Sequence, residues 1–467
     1  MTDKKFPYKR AHLVGIKGVA MAALAVYLTR AGVTVTGSDV AEDFPTKEAL
    51  DNSGAIVYTG FDAAHLSGKN KPDVVYYTGA HNGRENIEVA AAATMGIPVF
   101  PHGQGLGNIM KGKRQIVVSG CHGKTTTSAM VAVLLTHAKY KPSYAIGCGS
   151  ITGLGAAGEF SSGSWFIAEG DEYVTDPGHD MTPRFMWTSP EILVVTNIDF
   201  DHPDAFADLA AVQKAFMDLA QKSATVILNA DDPNSRVLNG HPSVITFGLS
   251  PAADYRISRV GVGRERMFFS LEERGVMLGE FTLKVPGNHN VANAVAAMIA
   301  AHTAGVSWDT LREGLLLFGG TKRRFEKLTS SNGIAFYDDY AHHPTEIAAT
   351  LKAARTWYPE SKIVAVFQPH TYSRTKTLLA RFGACFADAD TVVLTEIYAS
   401  AREHDTLGID GATLVSELSR QHKDVRYGKD NSGVTAILKD ILSPGDVVVF
   451  MGAGDIYNWE SGIIDAI

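Results

Sequence analysis

The sequence predicts an α/β protein of three domains, each built on a mostly parallel sheet. Three observations carry that expectation. The chain has 467 residues, which at roughly 150 residues per domain makes about three cores. Hydrophobic residues form 45% of it and charged residues 20%, the balance of a packed globular protein and not of a disordered one. Short β-branched runs alternate with helical stretches from end to end, which is the pattern of βαβ units.

Taken in order, the expected strands are His12–Ile16, Thr34–Gly37 and Asp73–Tyr77, then Gln115–Ser119, Ile192–Thr196 and Thr225–Leu228, then Lys362–Phe367, Thr391–Thr395 and Asp446–Met451. A charged stretch, Lys111–Arg114, and a glycine-rich basic one, Phe318–Phe325, read as linkers. They set domains at 1–112, 113–321 and 322–467. Residues 252–284 alternate apolar and polar without a helical period, so they read as an antiparallel appendage on the middle domain.

Composition removes several classes of function. Cys121, Cys148 and Cys385 are the three cysteines and make no CxxC pair, so a disulfide or zinc framework is not expected and a reducing, cytoplasmic compartment is. The N-terminal MTDKKFPYKR is basic but leads into a glycine-rich stretch, not the apolar segment of an export signal. No run approaches the roughly 18 apolar residues of a membrane span. A net charge of −7 argues against a general nucleic-acid binder, which needs clustered Lys and Arg.

The sharpest chemical signal is GCHGKTTT at 120–127, placed after the strand Gln115–Ser119 and before a helical run from Ser128 to His137. Loop N–H groups and a helix N-terminus then face an anion. Lys124 would neutralise phosphate oxygens and the Thr125 hydroxyl is a ligand for Mg²⁺. Magnesium needs further oxygen donors, and two strand ends offer acids. One is FIAEGDE at 166–172; the other is VTNIDFDHP at 195–203, which carries Asn197, Asp199, Asp201 and His202. Near the N-terminus, Gly15–Met21 makes a Rossmann-like turn that is weak as an NAD fingerprint, and the next strand ends at Gly37-Ser-Asp39, where an acid suits a ribose hydroxyl or a base edge.

The ordered set GCHGKTTT (120–127), EGDE (169–172), TNIDFDHPD (196–204), GNHNVANAVAA (287–297), GTKRRFE (320–326), DDYAHHPTE (338–346) and FQPHTYSRT (367–375) resembles the Mur ligases of peptidoglycan assembly. The resemblance runs from HLVGIKG near the start to FMGAGDI near the end. It implies a Rossmann-like uridine-nucleotide domain, a central P-loop ATPase domain and a Rossmann-like domain that brings the amino acid. It implies an ATP-dependent ligase with ATP and Mg²⁺ as cofactors and UDP-N-acetylmuramate and L-alanine as partners, working as a monomer or homodimer through an acyl phosphate.

Carried over position by position, the resemblance places ATP at Gly120, His122, Gly123, Lys124, Thr125, Thr126, Asn290, Asn293, Arg324 and Asp339. Asn290 and Asn293, three apart on an expected helix, share a face and suit the adenine or an adjacent group. Metal falls to Thr125, Glu169 and His202; the UDP portion to Gly15, Gly18, Met21, Ser38 and Asp39. Tyr340, His342, His370 and Arg374 surround the amino acid, where a guanidinium fork grips an α-carboxylate. Lys124, Glu169, His202, His342 and His370 are the catalytic set, with His342 or His370 as acceptors of the amine proton.

Three stretches and one residue depart from the family pattern: the long segment 173–187, the regions 78–84 and 101–105, and Cys121 in place of a loop hydroxyl residue. Three alternatives stay open from the residues: a ligase attaching a preformed tripeptide, a nonenzymatic nucleotide switch, and a dehydrogenase using the Gly15–Met21 and Gly452–Asp455 turns.

Overall fold

The computed structural model describes residues 7–202, 204–263, 265–399, 403 and 405–467. The start of the basic N-terminal stretch, residues 1–6, and Pro203 of the TNIDFDHPD motif lie outside the described residues.

The chain first builds a five-stranded parallel sheet from β1 (Arg10–Val14), β2 (Thr34–Asp39), β3 (Ile56–Thr59), β4 (Val74–Tyr77) and β5 (Val99–Pro101), in the order β3-β2-β1-β4-β5. Strand order reverses between β1 and β4, so the crevice at their carboxyl ends is the topological switch point where such sheets take ligands. Helices α1 (Val19–Arg30), α2 (Lys47–Ser53), α3 (Ile87–Thr94) and α4 (His102–Met110) accompany this sheet. The α1 sequence VAMAALAVYLTR is apolar nearly all round, and every residue from Met21 to Leu28 is buried. A helix of that composition needs cover on two sides: its own sheet supplies one and the middle domain the other.

The middle of the chain forms one ten-stranded sheet. Its strands are β6 (Arg114–Ser119), β7 (Ser143–Ala145), β8 (Gly158–Glu159) and β9 (Trp165–Gly170), then, after a separate hairpin of β10 (Val174–Asp176) and β11 (Asp180–Pro183), β12 (Ile192–Val195), β13 (Thr225–Asn229), β14 (Val244–Gly248), β15 (Tyr255–Val262), β16 (Met267–Glu273) and β17 (Val276–Leu283). The order is β17-β16-β15-β14-β13-β12-β6-β9-β7-β8. The antiparallel pattern expected at 252–284 is present as β15 to β17. These strands are not a separate appendage: β15 pairs in parallel with β14, so they extend the same sheet. Helices α5 (Lys124–His137), α6 (Leu209–Ala220), α7 (Asn288–Thr303) and α8 (Trp308–Leu315) belong to this part. The alanines of α7 are small enough to let it lie against α5, and both helices are buried along most of their length.

The last sheet runs β18-β19-β23-β20-β21-β22, from β18 (Glu326–Ser331), β19 (Ile334–Asp339), β20 (Ile363–Phe367), β21 (Thr391–Thr395), β22 (Val425–Lys429) and β23 (Val447–Met451), parallel except for the edge strand β18. Val447, Val449 and Met451 of β23 face one apolar layer, and Val448 and Phe450 face the other, the two-sided burial that a continuous apolar run predicts for a central parallel strand. Helices α9 (Pro344–Trp357) and α10 (Tyr372–Thr377) follow β19 and β20. The first two sheets share a single continuous apolar cluster, whereas the third has its own. Among the described residues no helix is long and apolar enough to cross a membrane.

Candidate active site

The loop between β6 and α5 is held in shape by two glycines and the end of β12. Gly120 has φ +128°, and a β-carbon there would lie 2.1 Å from the Thr196 hydroxyl. Gly123 has φ +82°, and a β-carbon would lie 2.6 Å from Asn293 Oδ1. Only glycine meets both demands. Asn197 then fastens the loop: its Oδ1 accepts from His122 N at 3.0 Å and its Nδ2 donates to His122 O at 2.9 Å. Cys121, the departure noted in the loop, is buried and exchanges contacts with the Asp199 backbone, each at 3.1 Å; the thiol ties the loop to the β12 end where a hydroxyl was expected.

Lys124 folds back over this loop. Its ammonium donates to Gly120 O at 2.7 Å, to Cys121 O at 3.2 Å and to the Glu172 carboxylate at 2.9 and 3.1 Å. Burial alone would lower its pKa; Glu172 and Asp171 outweigh burial and hold it above the ordinary lysine value. Thr125 donates to Glu169 Oε1 at 3.0 Å, and Gly147 N holds the other carboxylate oxygen at 3.0 Å. Burial pushes the Glu169 pKa up, opposed by Lys124 and Arg324. A hydroxyl and a carboxylate side by side are the hard oxygen donors that Mg²⁺ takes, so these two residues fit the ion. His202 is placed differently. Its backbone is left-handed, φ +59°, and its Nε2 lies 3.7 Å from Glu172 and 3.8 Å from Asp201. Glu172 therefore links His202 to Lys124.

Beside the loop, a cavity of about 350 Å³ opens between the middle and last domains, and His122, Gly123, Thr126, Asn290, Asn293, Arg324 and Asp339 all line it. Asn293 Nδ2 donates to Asn290 Oδ1 at 3.1 Å and Asn290 Nδ2 to Pro286 O at 2.7 Å, so the two amides do share one face of α7 and order each other. Arg324 lies 3.9 Å from Glu346 and 5.1 Å above the Tyr340 ring. Burial pushes the Asp339 carboxyl up to about 6, with Arg324 opposing.

The residues expected around the amino acid form a chain of contacts. Tyr340 meets His342 edge-on at 5.3 Å, His342 meets His370 at 6.0 Å, and Arg374 Nη1 lies 3.4 Å from His370 Nδ1. Burial, then Arg374, lower the His342 pKa to about 4, which leaves the ring neutral at physiological pH. The Arg374 fork is not open: Nη2 and Nε reach Asp201 of the middle domain at 3.2 and 3.4 Å. A substrate carboxylate would have to compete with Asp201 for it.

In the first domain, Gly15 adopts φ +78° and donates from its N–H to Ser38 O at 2.8 Å. Asp39 accepts from Lys17 N at 2.7 Å and lies 3.3 Å from His81. Two of the residues expected near the UDP portion turn their side chains inward. Ser38 turns its hydroxyl to the buried Glu88 carboxylate, and the Met21 side chain is in the core at 2% exposure. Both lie in buried stretches, β2 from Val35 to Asp39 and α1 from Met21 to Leu28. Two sequence departures also prove to be one feature. Asp176, at the tip of the β10–β11 hairpin, accepts from the Tyr77 hydroxyl and from Arg84 N, each at 3.2 Å, so segment 173–187 packs on loop 78–84. The residues at 102–105 open α4, whose Gly103 and Gly107 lie against Arg184 and Trp187.

Glu346 is a site residue the sequence does not suggest, and Glu172 and Asp201, offered there only as strand-end acids for magnesium, prove to be the partners of Lys124 and Arg374. Each lies inside one of the seven ordered motifs, but nothing local marks it as the partner of a cation distant in sequence. At Gly452–Asp455 a β-carbon on Gly454 would lie 2.2 Å from Gln368 Oε1, so this glycine packs against the chain's own Gln368.

Family profiles match three stretches: residues 10–114 as "Mur ligase family, catalytic domain", 175–301 as "Mur ligase middle domain" and 323–454 as "Mur ligase, glutamate ligase domain". A UDP-N-acetylmuramate–L-alanine ligase of Desulfitobacterium hafniense is 40% identical over 97% of this chain and 99% of its own. The chain belongs to the Mur ligase family. A second Mur ligase, the UDP-N-acetylmuramate–L-alanine ligase of Salinibacter ruber, is 36% identical over 98% of this chain and 94% of its own. The crystal structure of the UDP-N-acetylmuramate-alanine ligase of Thermotoga maritima matches with a TM-score of 0.82 at 28% identity, covering 98% of both chains. The three-sheet α/β architecture is thus that of the Mur ligases.

Proposed function

We propose that this protein is an ATP-dependent ligase that joins L-alanine to the lactyl carboxylate of UDP-N-acetylmuramate through an acyl phosphate, in the cytoplasm. The observation that carries the reading is the shared cavity where the phosphate loop, the α7 asparagines, Arg324 and Asp339 converge from two domains, in a chain 40% identical to a ligase of that name. Three buried, unpaired thiols suit the reducing compartment. Residues 1–112 would hold the UDP portion, 113–321 the ATP and 322–467 the amino acid.

A carboxylate resists attack by an amine because its oxygen is a poor leaving group. Phosphorylation supplies a good one, but the carboxylate and the γ-phosphate are both anions. Lys124, whose ammonium donates to Glu172 at 2.9 Å, would meet that repulsion by bringing its charge to the phosphate. Thr125 and Glu169 would hold Mg²⁺, which when bound neutralises phosphate charge and aligns the transfer. The amine of L-alanine then attacks the acyl carbon and phosphate leaves. His342 or His370 would accept the amine proton, and Arg374 would exchange Asp201 for the α-carboxylate. Closing the last domain over the middle one excludes the water that would hydrolyse the acyl phosphate.

Lys124→Ala is expected to cut acceptor-dependent phosphate release by roughly a hundred- to a thousandfold while UDP-N-acetylmuramate still binds by calorimetry; unchanged turnover would sink the phosphate role. Offering L-alanine and the preformed tripeptide separately, and reading phosphate release, distinguishes the proposed acceptor from the recycling one.

A further inference from the structure

Three metal-ligating side chains meet at the joint between the middle and last domains. His122 stands on the phosphate loop, Asp199 follows β12, and His343 is the N-cap of α9. One ligand atom from each lies within 4.8 Å of the others. His122 Nε2 is 3.5 Å and His343 Nδ1 is 4.0 Å from the same oxygen, Asp199 Oδ2. The rings face each other at 4.8 Å and 34°. His122 Nε2 is buried without a hydrogen-bond partner. On the far side of that ring, Nδ1 faces Glu346 Oε1 at 3.2 Å, the carboxylate backing that orients metal-bound imidazoles and raises their basicity.

We propose that His122, Asp199 and His343 form a second metal site, for a borderline divalent transition-metal ion such as Zn²⁺, that clasps the last domain onto the middle one. Two imidazoles and a carboxylate suit Zn²⁺, whereas Thr125 and Glu169 offer only the oxygens that suit Mg²⁺. Bonds of about 2.0 Å in a tetrahedral site put ligand atoms roughly 3.3 Å apart, so the 3.5 and 4.0 Å spacings to Asp199 and a third spacing within 4.8 Å close when α9 and the His343 ring move by about 1.5 Å or less. Asp199 Oδ2 also accepts from Thr345 Oγ1 at 3.1 Å and from Arg381 at 3.2 Å. Arg381 is 44% exposed and swings into solvent when the cation arrives. The His343 Nδ1 lone pair, which now accepts from Thr345 N at 3.3 Å, turns to the metal. Because His122 also lines the nucleotide cavity, an ion held here ties the phosphate loop to α9.

The test is a titration of the metal-stripped full-length protein with Co²⁺ alone, without magnesium or nucleotide, followed by visible d–d absorption. One equivalent should bind. Asp199→Asn and His343→Gln should each weaken binding at least tenfold, and Glu169→Gln should leave the titration unchanged. Absence of cobalt binding, binding that survives both variants, or loss in Glu169→Gln instead would overturn the proposal. Should His343→Gln unfold through loss of its helix cap, the proposal stands or falls on Asp199→Asn, which leaves that cap in place.

Discussion

The two joints between neighbouring domains are built from opposite materials. At the first, α1 lies between its own sheet and the edge of the middle sheet: Tyr27 packs on Phe160 at 5.6 Å and on Phe166 at 5.4 Å, and a β-carbon on Gly158 would stand 2.2 Å from Ala23 O. At the second, charged and polar groups meet. Arg374 pairs with Asp201, His122 with Glu346, and Arg381 and Thr345 with Asp199. Apolar contact is lost whenever surfaces part, so the first joint is fixed. Ion pairs exchange for water at small net cost, so the second can open and close. A ligase that must admit a nucleotide and an amino acid and then exclude water needs its moving joint where those two ligands meet, which is where the polar one lies.

The largest effect should come from the first joint. Tyr27→Ala removes a large buried ring and is expected to cost about 3–5 kcal/mol, read as a fall in the denaturant midpoint of the first two domains together; a loss confined to residues 1–112 would contradict the shared core. Next is Asp201→Asn. A buried arginine stranded without its partner costs about 3–5 kcal/mol when it cannot escape. Here the joint can open, so the expected outcome is a smaller stability loss with a larger radius of gyration by solution scattering.

The pH response should separate the joints further. Burial would lower the His122 pKa, but Asp199 and Glu346 outweigh it and raise it to about 9. A raised pKa means that its contribution is full below the ordinary histidine value of about 6.5 and is lost as pH rises through about 9. The Glu346 carboxyl is held well below its ordinary value despite burial, by His342 and His122, so its contribution is lost in acid. Scattering between pH 7 and 10 should therefore show opening in the parent and a much flatter profile in His122→Gln. The smallest change is Arg381→Ala, a half-exposed pair worth about 0.2–1 kcal/mol and expected to disappear in high salt.

Much of the fold was legible because it is local. The β-branched runs mark the strands within about two residues, and GCHGKTTT places loop, lysine and helix in one stretch. What escaped the sequence is pairing at long range. Asp201 and Arg374 are 173 positions apart, and no spacing rule connects an acid on one domain to a base on another. The inward side chains of Ser38 and Met21 escaped for a different reason: a glycine turn specifies where the backbone goes, and the neighbouring side chains follow the burial of the strand and the helix. Segments 78–84 and 173–187 each looked anomalous alone, and only their contact through Asp176 explains both.

The position of α1 has a consequence during synthesis. Its outer side is covered by residues as late as Phe166, so a ribosome that has released the first sheet still presents a greasy helix with nothing to lie on. Nascent domains tend to fold in order as they emerge, yet this one must wait for about sixty further residues after its last strand. Over that interval it is the natural client of a holding chaperone, and a truncated gene ending near the first linker should yield aggregate, not a soluble nucleotide-binding fragment.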